Sequence, residues 1–427
     1  MSIHTLDQTA LEAIASACAD VQDATDGDHV DTVTPGLVAR PTDVAQVAEV
    51  LRAAKAHRLS VVPRGRGTKL SWGTPPTSAD VLLDVSALDR VIDHAAGDLI
   101  VAAQAGTALA DVQQAVGSAG QRLALDETVP GTSIGGLLAA NTSGPRRVAI
   151  GSARDLLIGI TVVRADGVVA KAGGRVVKNV AGYDLGKLMI GSFGTLAVIV
   201  DATFRLHPLP AARTWVSAPV SSPAEAQRLV QSVLHAQAVP AAIEVEWGSG
   251  SGLATGTATG VVSVLLEGRE DGVAGRAATV RALFGETATE SATDQPAGGA
   301  TYPWDVTAAG DDRTTAFKLT FALSGLADVL QTATETGVAL RGSAGAGVAY
   351  AALAAGTPVE AARTALDRLR RTCTGRGGSA VVLDAPTDVK SGLDVWGPVP
   401  ALDLMSRVKD QFDPDHRLAP GRFVGGL

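Results

Sequence analysis

Two glycine-bearing loops contain the residues best suited to binding chemistry. The first reads Pro63-Arg-Gly-Arg-Gly-Thr-Lys, and the second reads Pro130-Gly-Thr-Ser-Ile-Gly-Gly. Glycine lets backbone N–H groups come close to a pyrophosphate, and it adopts the positive φ values of an anion-binding nest. In the first loop Arg64 and Arg66 would balance the charge, and Thr68 would add a hydroxyl donor. Together the loops indicate a phosphate-bearing cofactor, although either one alone is also compatible with a simple turn.

Neither loop matches the better-known nucleotide signatures. The segment Gly65-Arg-Gly67-Thr-Lys-Leu70 lacks the third glycine of a dinucleotide fingerprint, and no clear parallel βαβ unit is predicted after it. A further segment, Gly182-Tyr-Asp-Leu-Gly-Lys-Leu, is one residue short of a P-loop and has no Ser or Thr after its lysine. These two loops therefore do not identify the cofactor class by themselves, and a longer pattern of motifs is needed.

The composition is typical of a globular protein with more than one domain. The chain has 427 residues, of which 46% are hydrophobic and 19% are charged. The net charge of −8 argues against a nucleic-acid binder. Cys18 and Cys373 lie too far apart in sequence to indicate a disulfide framework or a zinc site, which fits a reducing cytoplasm. We find neither a signal peptide nor an apolar run of the ~20 residues of a membrane span. We therefore expect a cytoplasmic protein without direct membrane insertion, whose membrane contact would come through a partner.

The elements that must position the loops follow from hydrophobic periodicity. Asp43 is predicted to cap a helix, because Val44, Val47 and Leu51 recur at helical spacing. The segment Leu59-Ser-Val-Val-Pro is a predicted strand that runs into the first loop. Ala165-Asp-Gly is typical of a hairpin turn between two strands. The strands predicted in this half are 81–85, 99–103, 158–164, 168–172 and 196–206, and the helices are 108–119 and 184–190.

After Pro208 and Pro210, where we place a domain boundary, the alternation changes. The predicted helices are 223–237, 275–284, 326–336 and 359–374; the predicted strands are 242–247, 261–266, 317–322 and 346–351; a final helix covers 402–412. This order indicates an α+β unit with an antiparallel sheet covered on one face.

The order of the motifs resembles the vanillyl-alcohol-oxidase (PCMH-type) FAD-binding family. The two loops, Thr142-Ser-Gly, Gly151 and Asp155 follow one another as they do in that family. The run from Gly173 to Ile199 looks like its glycolate oxidase branch and, with Phe204-Arg-Leu-His-Pro-Leu-Pro, is most similar to the smaller flavin subunit (the E subunit) of bacterial glycolate oxidase. The resemblance is strong over roughly 36–210, fades downstream, and returns in Trp396-Gly-Pro and Lys409-Asp-Gln-Phe-Asp-Pro.

The family implies an α+β fold in which two α+β subdomains hold FAD between them and an α+β cap domain with an antiparallel sheet follows. We divide the chain into a lead-in at 1–35, a PCMH-type FAD-binding domain at 36–210, a cap or substrate domain at 211–395, and a C-terminal segment at 396–427 that returns to the FAD domain.

The resemblance also assigns FAD-binding residues by position. They are Gly65, Arg66, Gly67 and Thr68 around the pyrophosphate; Gly131, Thr132, Gly135 and Gly136 at the pyrophosphate and ribityl; Ser143 and Gly144 on the flavin side; and the backbone of Ile199 at the adenine or flavin edge. Some relatives tether FAD covalently through a His or Cys, and neither residue occurs in 63–73 or 130–144. Noncovalent FAD is therefore expected. The family's closing Asn-Pro-Gly is Ala419-Pro-Gly here, which removes a side-chain amide from the flavin region.

The implied reaction is the oxidation of a small 2-hydroxy acid, with hydride passing from the substrate Cα to flavin N5. Such a site needs a cation for the carboxylate and a base for the hydroxyl proton. Lys178 and Tyr183 are the predicted catalytic residues, because they lie in the segment that resembles the flavin-proximal motif. Anchoring of the next helix is the alternative role for both.

Four other side chains are weaker candidates. For Arg313 and Lys318 a solvated or salt-bridged role is favoured, for Arg341 a tight turn, and for His416 a solvent-facing position. The seven histidines include no close pair, and 236–415 contains none, whereas the larger flavin subunit has paired histidines in its cap. No catalytic metal is predicted.

Three functions remain open at this point. The first is an FAD subunit of a glycolate-oxidising complex that passes electrons to a second FAD subunit and an iron–sulfur subunit, since two distant cysteines cannot ligate a cluster. The second is a self-sufficient FAD-dependent 2-hydroxyacid dehydrogenase or oxidase. The third is a non-catalytic structural subunit of the complex. The missing metal histidines and Ala419 favour the first or third.

Overall fold

The structure is a computed structural model that describes residues 6–175, 184–248, 259–293 and 302–427. The chain forms two compact units. Unit 1 comprises Met1–Thr142, Ser152–Leu209 and Pro398–Leu427, and unit 2 comprises Ser143–Gly151 and Pro210–Gly397. Neither unit is a continuous stretch of the chain.

The helices of the described residues are α1 (Gln8–Ala17), α2 (Val44–Ala56), α3 (Leu109–Gly117), α4 (Ile134–Ala140), α5 (Arg147–Ile150), α6 (Ala153–Leu156), α7 (Gly186–Met189), α8 (Pro223–His235), α9 (Glu270–Phe284), α10 (Leu326–Thr336), α11 (Val359–Gly375), α12 (Thr387–Ser391) and α13 (Leu402–Phe412). None of them is long and apolar enough to cross a membrane.

The strands of the same residues are β1 (Val21–Asp23), β2 (Leu37–Ala39), β3 (Val61–Arg64), β4 (Val81–Asp84), β5 (Val91–Ala95), β6 (Ile100–Gln104), β7 (Gln121–Arg122), β8 (Leu157–Arg164), β9 (Val169–Gly173), β10 (Ala197–Arg205), β11 (His207–Pro208), β12 (Ala212–Val220), β13 (Ala242–Trp247), β14 (Gly260–Gly268), β15 (Thr289–Ser291), β16 (Ala316–Thr320), β17 (Ala339–Ser343), β18 (Val348–Ala352) and β19 (Ser379–Asp384).

Unit 1 contains two larger sheets and one short strand pair. The first sheet has the order β1-β2-β4-β3, in which β2 and β3 run parallel to β4 while β1 is antiparallel to β2. The second sheet is antiparallel with the order β5-β6-β10-β8-β9, and β7 pairs with β11. Buried aliphatic residues of β2 and β4, such as Val38 and Leu82, place one core beneath the first glycine loop.

Unit 2 is built on one antiparallel sheet with the order β15-β12-β14-β13-β17-β18-β16-β19. Along β13, Val245 and Trp247 enter the core formed with α8, α9, α10 and α11, whereas the alternate residues Glu244 and Glu246 do not. This alternation is what a sheet covered by helices on one face requires. The predicted α+β fold is confirmed.

Local signals explain why several predicted elements are confirmed. Asp43 caps α2, its carboxylate accepting from the Gln46 N–H at 2.8 Å, and Val47, Val50 and Leu51 are buried on one face. The Ala165-Asp-Gly turn closes the antiparallel pair β8–β9, with Gly167 at a φ of +78°. Glycine adopts this left-handed region without strain.

Four strands of unit 2 have no counterpart in the sequence prediction, namely β12, β15, β17 and β19. Around Arg341 a tight turn was favoured because glycines follow it, but Arg341 and Gly342 lie within β17. A Cβ on Gly342 would overlap Ala349 of β18, so this glycine serves close strand packing rather than a turn. Helix α9 also begins five residues earlier than predicted, at Glu270 instead of 275.

Candidate functional site

The first glycine loop leaves the end of β3 and forms one wall of a cleft in unit 1. The cleft encloses about 740 Å³ of space, with open solvent at its mouth included. Residues Pro63 to Leu70 line it. Gly67 has a φ of +76°, which favours glycine. A Cβ on Gly65 would overlap Ser133 Oγ, so glycine is required there for close approach.

The charge of Arg64 is matched inside unit 1. Its guanidinium donates to Asp28 Oδ1 and to Asp84 Oδ2, both at 2.7 Å. Burial would raise the pKa of Asp28, but hydrogen bonds from Thr25 and Arg64 outweigh it and hold that pKa at about 2. Arg64 therefore fixes the start of the loop, and Arg66, which is exposed, keeps a cation beside the cleft.

The second glycine loop meets the first through Ser133. This residue is the N-cap of α4, and its hydroxyl accepts from the Gly136 N–H at 3.2 Å and from the Arg66 N–H at 3.5 Å. Gly135 and Gly136 line the cleft. A Cβ on Gly135 would lie 2.9 Å from the Cβ of Ala105, which leaves no room for a side chain. The two loops are therefore close neighbours in space, although about 60 residues separate them in the sequence.

A further wall comes from β10 and the turn before it. Gly194 has a φ of +76°, and a Cβ there would lie 3.0 Å from Pro63 Cγ. Ala197, Val198 and Ile199 complete this wall. The pairing of β10 with β8 shifts register between Ile199 and Asp201. Such a bulge changes the direction of the backbone locally, and this one lies beside the cleft.

Arg422 lines the cleft from the far end of the chain, and the sequence analysis did not identify it. It is buried, and its Nη2 donates to the carbonyl oxygens of Lys69, Leu70 and Trp72 at 3.1, 2.7 and 3.3 Å. Since the last carbonyl of the first loop and two carbonyls just after it accept from one guanidinium, Arg422 positions the end of that loop. No local pattern could have connected residues 353 positions apart.

Lys69 is the second cleft residue that the sequence analysis did not single out. Its side chain is buried, and its ammonium donates to Thr68 Oγ1 at 2.8 Å and to Thr132 Oγ1. Because Thr132 belongs to the second loop, this lysine joins the two loops.

The C-terminal segment also forms part of the support of β3. The Val61 N–H donates to Arg417 O at 2.8 Å, and the Ala419 N–H donates to Val61 O at 2.9 Å. Ala419 has a φ of +43°. The resembled family has Asn at this position. Asn tolerates the left-handed conformation better than Ala does, so Ala419 lacks the side-chain amide and is also less suited to this backbone conformation.

The assigned FAD-binding residues fall into three groups. The residues that line the cleft are Gly65, Arg66, Gly67, Thr68, Gly135, Gly136 and Ile199. Gly131 and Thr132 lie in the second loop but outside that lining, and Ser143 and Gly144 lie in unit 2. The predicted catalytic residues Lys178 and Tyr183 lie outside the described residues. These roles remain predictions.

The cations of unit 2 are largely matched by carboxylates. Arg313 is buried against Asp384 at 2.9 Å, and Arg341 lies 2.9 Å from Glu246. Burial raises the pKa of Glu246, while Arg341 opposes that rise. Lys318 is half-buried on β16, next to Tyr350 in the strand register.

His416, in unit 1, is exposed and pairs with Asp410 at 2.7 Å. Within 6–175, 184–248, 259–293 and 302–427, no group of three or more His, Cys, Asp and Glu side chains could hold a metal ion.

The cleft fits a diphosphate-bearing cofactor. The two loops approach each other at Gly65, where a Cβ would overlap Ser133 Oγ, and four cationic residues (Arg64, Arg66, Lys69 and Arg422) line the same space. Hydroxyl groups of Thr68 and Ser133 lie among them. Small residues, donors and positive charge are the features that a buried diphosphate needs.

Comparison with known proteins agrees with this geometry. Residues 35–173 match a family described as an FAD binding domain. Glycolate oxidase subunit GlcD of Bacillus subtilis is 32% identical over 211 residues, which is 49% of this chain and 45% of that protein. Glycolate oxidase subunit GlcE of Escherichia coli is 34% identical over 176 residues, or 40% of this chain and 50% of that protein.

A D-2-hydroxyglutarate dehydrogenase of Xanthomonas citri is 37% identical over 180 residues, which is 42% of this chain and 38% of that protein. The chain thus spans about half the length of the curated relatives it matches, or less.

Solved structures share the fold at low identity. A p-cresol methylhydroxylase with bound substrate matches at a TM-score of 0.72 and 17% identity, over 97% of this chain and 96% of that one. An alkyldihydroxyacetonephosphate synthase matches at a TM-score of 0.72 and 15% identity, over 99% and 88% respectively.

Proposed function

Since residues 35–173 match the FAD-binding domain family, we propose that this chain is the FAD-binding subunit of a complex that oxidises glycolate or a related 2-hydroxy acid. When bound, FAD would accept hydride from the substrate. The observation that carries the proposal is the cleft of unit 1, where the two loops meet at Gly65, a position at which a Cβ would overlap Ser133 Oγ. Noncovalent binding is part of the proposal, because no His or Cys is among the described residues that line the cleft.

The names of the relatives support the substrate class. Two of them are glycolate oxidase subunits, and a third is named for a 2-hydroxy dicarboxylate. All three alignments cover about half of this chain or less.

Dependence on a partner is supported by the cysteines and by the cations of unit 2. Cys18 and Cys373 are both buried and free, and they are the only cysteines in the sequence. An iron–sulfur cluster needs about four such ligands, so electrons would leave through another subunit or acceptor. Arg313 and Arg341 each lie against a carboxylate, with which a substrate carboxylate would have to compete. A second FAD subunit and an iron–sulfur subunit are the proposed partners.

The test is anaerobic spectroscopy of the full-length chain, purified either alone or after co-expression with a candidate second FAD subunit and a candidate iron–sulfur subunit. We expect a yellow protein whose flavin absorption persists when glycolate or D-lactate is added to the chain alone. In the co-purified complex the same substrates should bleach the flavin.

Bleaching of the isolated chain would replace the proposal by the self-sufficient dehydrogenase. If the chain stays colourless after reconstitution with excess FAD, the non-catalytic structural subunit is the only hypothesis left. A matched control is the complex that carries Gly65→Ala in this chain, which should lose the flavin of this subunit and keep that of its partner.

A further inference from the structure

Lys69 is a buried amine that is held by hydroxyl groups. Its side chain is 8% exposed, and Nζ contacts Thr68 Oγ1 at 2.8 Å and Thr132 Oγ1. The ring of Trp72 lies 6.0 Å away, at the limit of a cation–π contact. In the part of the chain that the structure describes, no carboxylate lies within ion-pair distance of this nitrogen.

The charged groups around Lys69 do not replace such a carboxylate. Glu127, at the start of the second loop, is exposed and accepts from the Gly131 N–H at 2.9 Å. Arg64 is matched by Asp28 and Asp84. Arg422 donates to the carbonyl oxygen of Lys69 itself, so it brings positive rather than negative charge close to the lysine.

Hydroxyl partners suit a lysine that changes its protonation state. An ammonium donates to hydroxyl oxygens, whereas a neutral amine also accepts from a hydroxyl hydrogen, and Thr provides both functions. A carboxylate partner would instead hold the lysine in its charged form. Desolvation lowers the pKa of Lys69 to about 8, with Glu127 opposing the shift. Both protonation states are therefore accessible near neutral pH.

We propose that Lys69 is a proton-linked ligand of the FAD diphosphate, taking up its proton as the diphosphate enters the cleft between the two glycine loops. Lys69 lines the cleft together with Arg66 and Arg422. Its side-chain hydrogen bonds to Thr68 and Thr132 join the two loops. The inference rests on the FAD site and not on the proposed oxidation, so binding measurements test it independently of activity.

The sign of the linkage follows from the charges. A bound dianion favours the ammonium form and raises the pKa of Lys69 above its value of about 8 in the free protein. Binding at pH 8 then takes up about half a proton, because about half of the free lysines are neutral there. FAD affinity should be constant below about pH 7 and fall by up to tenfold per pH unit above pH 8.

Isothermal titration calorimetry of the flavin-free, full-length chain tests this directly. FAD is titrated at about pH 8 in two buffers that differ in ionisation enthalpy, and the difference in heat gives the number of protons taken up. We expect uptake with FAD and with ADP, which carries the diphosphate without the flavin, and none with riboflavin. This measurement needs no variant.

Two substitutions separate the effect of the positive charge at position 69 from the effect of proton uptake there. Lys69→Arg keeps a permanent cation, so it should bind FAD without proton uptake and with an affinity that is flat between about pH 7 and pH 9. Lys69→Met removes the cation and should bind FAD at least tenfold more weakly at pH 7, again without pH dependence. Circular dichroism and thermal unfolding confirm that each variant is folded.

The proposal is overturned if the wild-type chain binds FAD with no proton uptake at pH 8. It is equally overturned if the wild type and folded Lys69→Met show the same affinity and the same pH dependence. Failure of all variants to oxidise a 2-hydroxy acid would leave these results unaffected and would bear on the proposed function alone.

Discussion

Gly65, Gly135 and Gly194 each occupy a position at the cleft where an added Cβ would press against a neighbouring atom. Their neighbours are the Ser133 hydroxyl, Ala105 and the Pro63 ring, which belong to other segments of the chain. The glycines therefore set how closely the two loops and the turn before β10 approach each other. A cofactor backbone would be held at that same distance.

Gly65→Ala is expected to weaken FAD binding by at least tenfold, because the new methyl group must displace the Ser133 hydroxyl, which caps α4. Overpacking of this kind costs about 1–3 kcal/mol of folding free energy. Fluorescence quenching of FAD by the purified variant measures the effect.

Gly117→Ala is the matched control. A Cβ on Gly117 at the end of α3 meets nothing within 4 Å, so stability should stay equal or rise by up to about 1 kcal/mol. Equal FAD affinities of the two variants would show that the close contact with Ser133 is not needed.

The sequence was informative for residues whose role depends on their own loop. Gly65 and Gly67 are identifiable because the strand before them and the motif around them are local features. Arg422 was not, because its contacts with Lys69 and Leu70 join segments that no short pattern connects. The sequence also suggested Arg64 as charge compensation for a ligand, whereas Asp28 and Asp84 match its charge.

At the scale of elements, α13 is fixed to unit 1 by a buried ion pair. Lys409 is 1% exposed and Asp413 is fully buried, and their charged atoms lie 2.7 Å apart. Lys409 also donates to Thr195 O at 2.7 Å and to Leu418 O at 3.0 Å. The helix thereby joins the turn before β10 to the segment that pairs with β3.

Lys409→Met should lower the free energy of unfolding by about 3–5 kcal/mol, since it leaves the Asp413 carboxylate buried without its cation. Urea denaturation measures this loss. Lys187→Met is the control, because Lys187 forms a half-exposed pair with Asp184 at 3.1 Å, and its removal should change stability by less than about 0.5 kcal/mol. Similar losses for both variants would contradict the role of the buried pair.

Elements with strong local signals were predictable, and those that depend on tertiary pairing were not. Helices α10 and α13 have the predicted bounds, because apolar residues recur in them at helical spacing. Strand β12 was missed because Pro219 interrupts its pattern. The neighbouring strand β15 pairs only with residues 215–217 of β12. On that side of β12 the sheet therefore needs no backbone N–H at position 219, and a proline is tolerated there.

At the scale of the whole chain, each unit is assembled from separated segments. Pro398–Leu427 belongs to unit 1, although 188 residues, Pro210–Gly397, lie between it and the preceding part of that unit. This last segment supplies Arg422 to the cleft and Lys409 to the core beside it. Pro208 and Pro210 suggest the boundary before unit 2 from the sequence alone. The return of the chain to unit 1 could be predicted only from the family resemblance of Trp396-Gly-Pro and Lys409-Asp-Gln-Phe-Asp-Pro.

A chain that ends at residue 397 is therefore expected to purify without flavin, because β3 loses its contacts with Arg417 and Ala419 and the cleft loses Arg422. Co-expression of 398–427 as a separate fragment should restore part of the binding. Absorption spectra and limited proteolysis of unit 1 report the outcome, and a yellow, protease-resistant 1–397 chain would contradict this expectation.

The position of Arg422 has a consequence for the order of events during biosynthesis. A ribosome completes both glycine loops early, but it must translate all of unit 2 before it adds the residue that holds the first loop in place. Flavin loading should therefore follow the synthesis of unit 2 rather than the completion of the two glycine loops. Prematurely terminated products would then not sequester the cell's FAD.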